Sequence, residues 1–215
     1  MPEYLKSIAP EAKFTLITQN VDGLSVEAFQ KSCPGRKPRM FEMHGSIFDT
    51  VCTVCGDVDF NISSPICAAL GGTEDNFDSK EESNISLDDL PRCGKCKGLL
   101  RPGVVWFGEV PHNMETIGEI VDEADLALIV GTSSTVCIHI FNRRISKLIQ
   151  MPSLGSKVYP AAGYAYEVSE NGGKVAIFNL ENTDGDEDAD FLFLGPCEET
   201  LPSILSGLET RKEQS

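Results

Sequence analysis

The chain has 215 residues, 41% of them hydrophobic and 7% aromatic, with a formal net charge of −15 and a pI near 4.5. That length supports one large domain, or a domain with a small insertion. Such an acidic balance argues against phosphate-backbone binding, which needs clustered Lys and Arg, and suits basic partners such as lysine-containing peptides. The longest apolar run is Leu126 to Val130, far short of the roughly 18 residues of a membrane span, and Met1 to Pro10 carries no secretion pattern.

In chain order, Phe14 to Thr18 reads as a buried strand ending in Gln19-Asn20-Val21-Asp22-Gly23, and Val26 to Lys31 as a short helix. Pro34 to Arg39 is a basic loop. Val51 to Leu100 differs in texture, with two Cys pairs, many turn residues and the acidic stretch Thr73 to Asp89, which we expect to be a mobile loop. This segment reads as a module inserted into a larger domain. Leu99 to Phe107 is strand-like. Met114 to Ala124 places Met114, Ile117, Ile120 and Val121 at helical spacing. Asp125 to Val130 is a short strand ending in Gly131-Thr132-Ser133-Ser134. Pro160 to Glu170 is a helix that Gly172-Gly173 stops; Lys174 to Asn179 and Asp190 to Leu194 are strands; Pro202 to Leu208 is a closing helix. Alternating strands and helices predict an α/β fold, a parallel, doubly wound sheet.

Cys52-x-x-Cys55 and Cys93-x-x-Cys96 are the strongest single signal. Two residues between thiols turn both sulfurs toward one point, and two such turns supply four thiolates at about 2.3 Å around a tetrahedral ion. The interval between the pairs exceeds the roughly 15–20 residues usual for such sites, and a loop absorbs the excess because closure entropy grows slowly with length. The quartet leaves no open position, so its Zn2+, one per chain, is structural. Cys33, Cys67 and Cys137 lack this spacing and read as ordinary residues.

In a doubly wound sheet, ligands bind beyond the carboxyl ends of strands. Three polar clusters follow strands here: Gln19-Asn20-Val21-Asp22, Gly131-Thr132-Ser133-Ser134 and Asn179-Leu180-Glu181. Gly131 lets backbone approach a ligand, Thr132 and Ser133 offer donors to phosphate or ribose, and Glu181 suits ribose hydroxyls. Each cluster alone is equally a helix cap or turn; together they point to a nucleotide. His44, just before the cysteine module, is a candidate proton acceptor, with a structural histidine as the alternative. His112 and His139 offer no better context.

Thr18-Gln19-Asn20-Val21-Asp22-Gly23-Leu24, His44-Gly45-Ser46, the two Cys pairs, Val104-Val105-Trp106-Phe107-Gly108-Glu109 and Gly131-Thr132-Ser133-Ser134 stand in the order found in sirtuins. From Phe14 to Leu208 the chain resembles that family. Ser64-Pro65-Ile66-Cys67-Ala68-Ala69-Leu70, Leu90-Pro91-Arg92-Cys93 and Gly195-Pro196-Cys197 resemble the class III branch, known for removing succinyl, malonyl and glutaryl groups. The resemblance implies an NAD-dependent protein-lysine deacylase. In that chemistry the acyl-lysine oxygen attacks C1′ of the nicotinamide ribose, and the products are free lysine, nicotinamide and O-acyl-ADP-ribose. It further implies that His44 is the general base and that Gln19, Asn20, Val21 and Asp22 surround the nicotinamide ribose. Gly131, Thr132 and Ser133 then form the nucleotide-binding strand end, Asn179, Leu180 and Glu181 contact the adenosine ribose, and Cys197 lies at the adenine. Val105, Trp106, Phe107, Gly108 and Glu109 pair with the substrate peptide by strand addition. The implied architecture is a Rossmann-like domain (1–46 and 99–215), incomplete at its N-terminal end, carrying a zinc module (47–98). The implied protein is intracellular and monomeric: mitochondrial by resemblance, with nucleus or cytoplasm open.

Three departures from the family pattern stand out. Its Gly-rich phosphate loop, and the Tyr and Arg by which the class III branch recognises acidic acyl groups, are expected upstream of Met1, so acyl preference is not legible here. Ser25 stands where the family has His, and Val26 to Met40 is longer than its pattern. Val136 to Lys157 separates Thr135 from Val158-Tyr159-Pro160-Ala161-Ala162, which the family joins directly. We read the inserted stretch as a retained intron, its ends matching donor-like and acceptor-like codons, with a genuine surface loop as the alternative. The competing functions are a catalytically dead sirtuin that binds only zinc and peptide, and a zinc-ribbon module beside an unrelated α/β domain.

Overall fold

The computed structural model describes residues 12–73, 85–131, 162–183 and 186–212, and the chain divides into two compact units. The inserted stretch 136–157, Thr132, Ser133 and most of the acidic stretch lie outside the described residues.

The first unit comprises residues 1–106 and 110–112. Strand β1 (Leu16–Thr18) pairs in parallel with β2 (Met40–Glu42), Leu16 opposite Met40. Parallel neighbours need a crossover, and helix α1 (Leu24–Ser32) lies between them in the chain. The helix starts earlier than its apolar spacing predicts, because Asp22 Oδ1 accepts the Leu24 N–H at 3.0 Å and satisfies an orphan donor of the first turn. Glu27 and Lys31 form an exposed ion pair one turn apart.

An antiparallel sheet follows, in the order β4-β3-β5: β3 (Gly45–Cys52), β4 (Val58–Phe60) and β5 (Leu100–Val104). Short strand β4 and strand β2 have no periodic signal in the sequence and form through pairing. The β3–β5 register shifts between Ser46 and Thr50. There, a Cβ at Gly45 would stand 2.1 Å from the Gly103 carbonyl oxygen, and Gly45 has φ 75°, so both space and backbone demand glycine. Strand β5 ends at Val104. Val105–Glu109, expected as strand, is instead an irregular turn with Gly108 at φ 94°. Within the acidic stretch expected as a mobile loop, Leu87–Asp89 forms a single 3-10 turn opened by Ser86, whose side chain accepts the Asp88 N–H.

The second unit comprises residues 107–109 and 113–215. Its sheet is parallel throughout, in the order β6 (Leu126–Val130), β7 (Lys174–Asn179), β8 (Phe191–Leu194). Central β7 is buried from Val175 to Asn179, as its unbroken apolar run requires. Helices α2 (Met114–Asp122) and α3 (Ala162–Glu170) pack on each other, and α3 lies against β6 and β7. Ile117 and Val121 of α2, and Ala165 and Val168 of α3, supply the buried faces. Gly173 fits between α3 and the Ala124 carbonyl, where a Cβ would come within 2.4 Å of that oxygen. Phe178 stacks on its strand partner Phe193 with centroids 4.8 Å apart. Asp190 locks the start of β7: its carboxylate accepts the Val175 N–H at 2.9 Å and the Lys174 ammonium at 2.6 Å. Leu126, Leu128 and Val130, alternate residues of β6, remain exposed. Helix α4 (Cys197–Lys212) begins five residues before the expected Pro202, because Glu199 and Thr200 donate to the Pro196 carbonyl and Glu198 and Glu199 suit a helix N-terminus.

Candidate functional site

The four predicted cysteines converge. Cys52 ends β3 with Cys55 in the turn beyond it, and Cys93 and Cys96 occupy the matching turn before β5. The two turns close alike. Cys52 N–H donates to Asp57 and Gly56 N–H to Cys52; Cys93 N–H donates to Gly98 and Lys97 N–H to Cys93. All four sulfurs lie within 4.8 Å of one another, Cys52 to Cys96 at 3.4 Å and Cys55 to Cys93 at 3.8 Å. A tetrahedron with metal–sulfur bonds of about 2.3 Å has sulfur–sulfur edges of roughly 3.8 Å, so the donor set fits a tetrahedral metal ion. Backbone N–H groups of Cys55 and Val54 point at Cys52 Sγ and hold its thiol down to about 6. The Asp57 N–H favours the Cys55 thiolate, but the thiols of Cys96 and Cys52 outweigh it and push Cys55 up to about 12. Crowded thiolates of this kind call for a cation. Cys33 and Cys67 stay outside the cluster, as expected.

The first unit also gathers one predicted polar cluster with His44. Residues 19–23 follow β1 and Met43-His44 follows β2, so both stand at carboxyl ends of neighbouring parallel strands. Backbone bonds tie them together: Met43 N–H to the Thr18 carbonyl at 3.0 Å and Ile47 N–H to the Val21 carbonyl at 3.0 Å. Thr18 Oγ1 accepts the Asn20 N–H at 3.1 Å and closes the turn. The His44 imidazole is pushed below its ordinary value chiefly by burial. The Gln19 backbone opposes that shift, and His112 adds to it. Nearby, burial, then Asp49 and Asp22, raise the Glu42 carboxyl. Val105 N–H donates to the His44 carbonyl at 2.8 Å, which anchors the start of the 105–109 turn. Beyond it Trp106 and Phe107 are exposed, Phe107 at 93%.

In the second unit Gly131, Asn179, Leu180, Glu181 and Cys197 follow the carboxyl ends of its own strands, while the predicted Thr132 and Ser133 lie outside the described residues. Gly131 follows β6 with φ 62°, and its N–H donates to the Phe178 carbonyl. Asn179 ends β7 buried, its side-chain amide facing Thr183 Oγ1 at 3.4 Å, while Leu180 and Glu181 beyond it are exposed. Cys197 opens α4 just past β8. The residue that sequence reasoning passed over is His112. Only tertiary pairing brings it to Met43 and Gly45, and no local spacing signals it.

The Sir2 family model matches residues 3–137. Over 203 residues the chain is 40% identical to "NAD-dependent protein deacylase sirtuin-5B, mitochondrial" of Xenopus laevis, an alignment covering 92% of this chain and 56% of that protein. The chain thus spans about half the length of the curated relatives it matches. Among solved structures it is similar to a Sir2 homologue–NAD complex, at 26% identity and a TM-score of 0.62, covering 99% of this chain and 63% of that one. It is also similar to Sir2Af2 bound to a myristoylated histone peptide, at 25% identity and a TM-score of 0.59, covering 94% and 67%.

Proposed function

The chain belongs to the Sir2 family, and from that premise we propose that it serves an NAD-dependent protein-lysine deacylase of the deacetylase, desuccinylase or demalonylase type. The observation that carries the reading is that the Gln19–Asp22 turn and His44 follow the carboxyl ends of two paired parallel strands and are tied by the Met43 N–H to the Thr18 carbonyl and the Ile47 N–H to the Val21 carbonyl. When bound, NAD supplies the sugar carbon that the acyl oxygen attacks and the hydroxyl that takes up the acyl group. His44 is the base for that hydroxyl. In its neutral form the ring carries one nitrogen lone pair that accepts the proton. Burial favours the neutral, base-competent ring.

Gln19, Asn20, Val21 and Asp22 surround the nicotinamide ribose in this reading. Gly131, Thr132 and Ser133 take the nucleotide, Asn179, Leu180 and Glu181 the adenosine ribose, and Cys197 the adenine. Val105 to Glu109 offers backbone to an acyl-lysine peptide, a substrate class that the myristoylated histone peptide on a solved relative supports. Cys52, Cys55, Cys93 and Cys96 hold one structural zinc ion within a module over 47–98, set into a Rossmann-like domain over 1–46 and 99–215. The mitochondrial relatives support action in mitochondria, and the protein acts as a monomer in this reading.

The test is incubation with NAD and peptides carrying acetyl-, succinyl-, malonyl- or glutaryl-lysine, read by mass spectrometry for free lysine and nicotinamide. Loss of turnover in His44→Asn supports the reading. No turnover with any acyl group by a zinc-loaded, folded chain would leave only zinc and peptide binding.

A further inference from the structure

We propose that the outer edge of strand β4 docks an extended, basic segment of a partner protein, one that alternates Lys or Arg with apolar residues. The site is independent of the reading of His44 as the base. Strand β4 stands at the end of the order β4-β3-β5, and among the described residues it pairs only with β3. In an antiparallel pair every second residue turns its backbone groups away from the partner strand. Cys52 N–H donates to the Asp57 carbonyl at 2.9 Å and Asn61 N–H to the Phe48 carbonyl at 2.7 Å, and the Thr50 hydroxyl donates to the Asp59 carbonyl at 3.0 Å. The backbones of Asp57, Asp59 and Asn61 therefore face β3, which leaves the N–H and C=O groups of Val58 and Phe60 on the open edge.

The side chains divide in the same rhythm. Asp57, Asp59 and Asn61 line a cleft of about 430 Å³ together with Thr50, Arg92 and Lys95. Both cations are engaged, Lys95 with Asp57 and Arg92 with Asp88. Asp59 is exposed, and its carboxylate has no ion-pair partner among the described residues. On the other face Val58 and Phe60 are 59% and 66% exposed, and Ile62 just beyond them is 72% exposed. A strand added to this edge meets a carboxylate on one face and an apolar stripe on the other, which selects basic residues alternating with apolar ones. A second copy of the chain is the poorer occupant. Strand β4 paired antiparallel with itself about its central residue sets Asp59 against Asp59, between chains that each carry −15. The charge that bars a copy from this open edge admits a basic strand.

The probe is a fluorescent peptide of alternating lysine and valine, free of acyl groups. It is titrated into the zinc-loaded full chain at about 0.15 M salt, where distant charges are screened. Anisotropy is expected to show saturable binding, stronger than that of a glutamate–valine counterpart. D59K should weaken binding by about fivefold or more, because attraction at an exposed position becomes repulsion. F60P removes an outward N–H without breaking the β3 ladder and should abolish binding, with an unchanged zinc content reporting that the module is folded. If F60P loses its zinc, D59K decides the question. No binding by the parent, equal binding by the parent and D59K, or a preference for the glutamate peptide overturns the proposal. So does a dimer in sedimentation that F60P dissociates, which would make a second copy the occupant.

Discussion

Met43, the residue before His44, donates its backbone N–H to the Thr18 carbonyl at 3.0 Å, which ties the His44 turn to the carboxyl end of the neighbouring parallel strand. Burial lowers the proton affinity of the His44 ring, against the opposing influence of the Gln19 backbone.

The sign of the resulting pH dependence follows. The folded state binds this proton less readily than the unfolded chain, so the stability that neutral His44 contributes is present above the unfolded value of 6.5 and is lost as pH falls through the lower folded value. His44→Asn removes that loss. Urea midpoints measured on either side of pH 6.5 are expected to fall less steeply toward acid in the variant than in the parent. Equal acid slopes would show that His44 is not held neutral by burial.

Glu42 carries the opposite sign. Its carboxyl is raised by burial, Asp49 and Asp22, so its ionisation costs stability once pH rises through the folded value. Glu42→Gln is expected to be at least as stable as the parent at neutral pH, with the advantage gone in acid below 4.5, where the unfolded carboxyl also holds its proton. Thermal unfolding at the two pH values checks it, and a variant less stable at neutral pH refutes the assignment.

Gly45 and Gly35 share φ 75°, yet a Cβ at Gly45 meets the Gly103 carbonyl at 2.1 Å while one at Gly35 meets nothing within 4 Å. Gly35→Ala should cost about 1 kcal/mol from backbone strain alone. Gly45→Ala should cost about 3–5 kcal/mol, because the β3–β5 pairing must also move. Chemical denaturation of both variants separates the two terms, and equal costs would contradict the close approach.

Loss of the metal should unfold the cysteine module. Cys96→Ser is expected to reduce bound zinc from one equivalent to well below it, by elemental analysis, and to cost more than about 4 kcal/mol. Cys33→Ser, at a buried cysteine outside the quartet, is the control and should keep its zinc. Full zinc in Cys96→Ser would remove Cys96 from the ligand set.

The sequence by itself determined the elements whose cause is local. Cys-x-x-Cys sets the geometry of one turn, so two copies predict four converging sulfurs. The apolar run Val175 to Phe178 has no stable place except a covered parallel strand, and strand β7 begins and ends where its sequence pattern does. The polar residues after β1 and β7 stand at carboxyl ends because strands end where apolar runs end. Tertiary structure alone decided what depends on register between distant segments. Strands β2 and β4 are too short to show a period, and they exist through their partners. The turn at Val105–Glu109 replaces an apolar pattern that reads as strand, because Val105 is drawn to the His44 carbonyl. His112 meets Met43 through a backbone bond, and a contact between residues so far apart in the chain leaves no trace in local spacing.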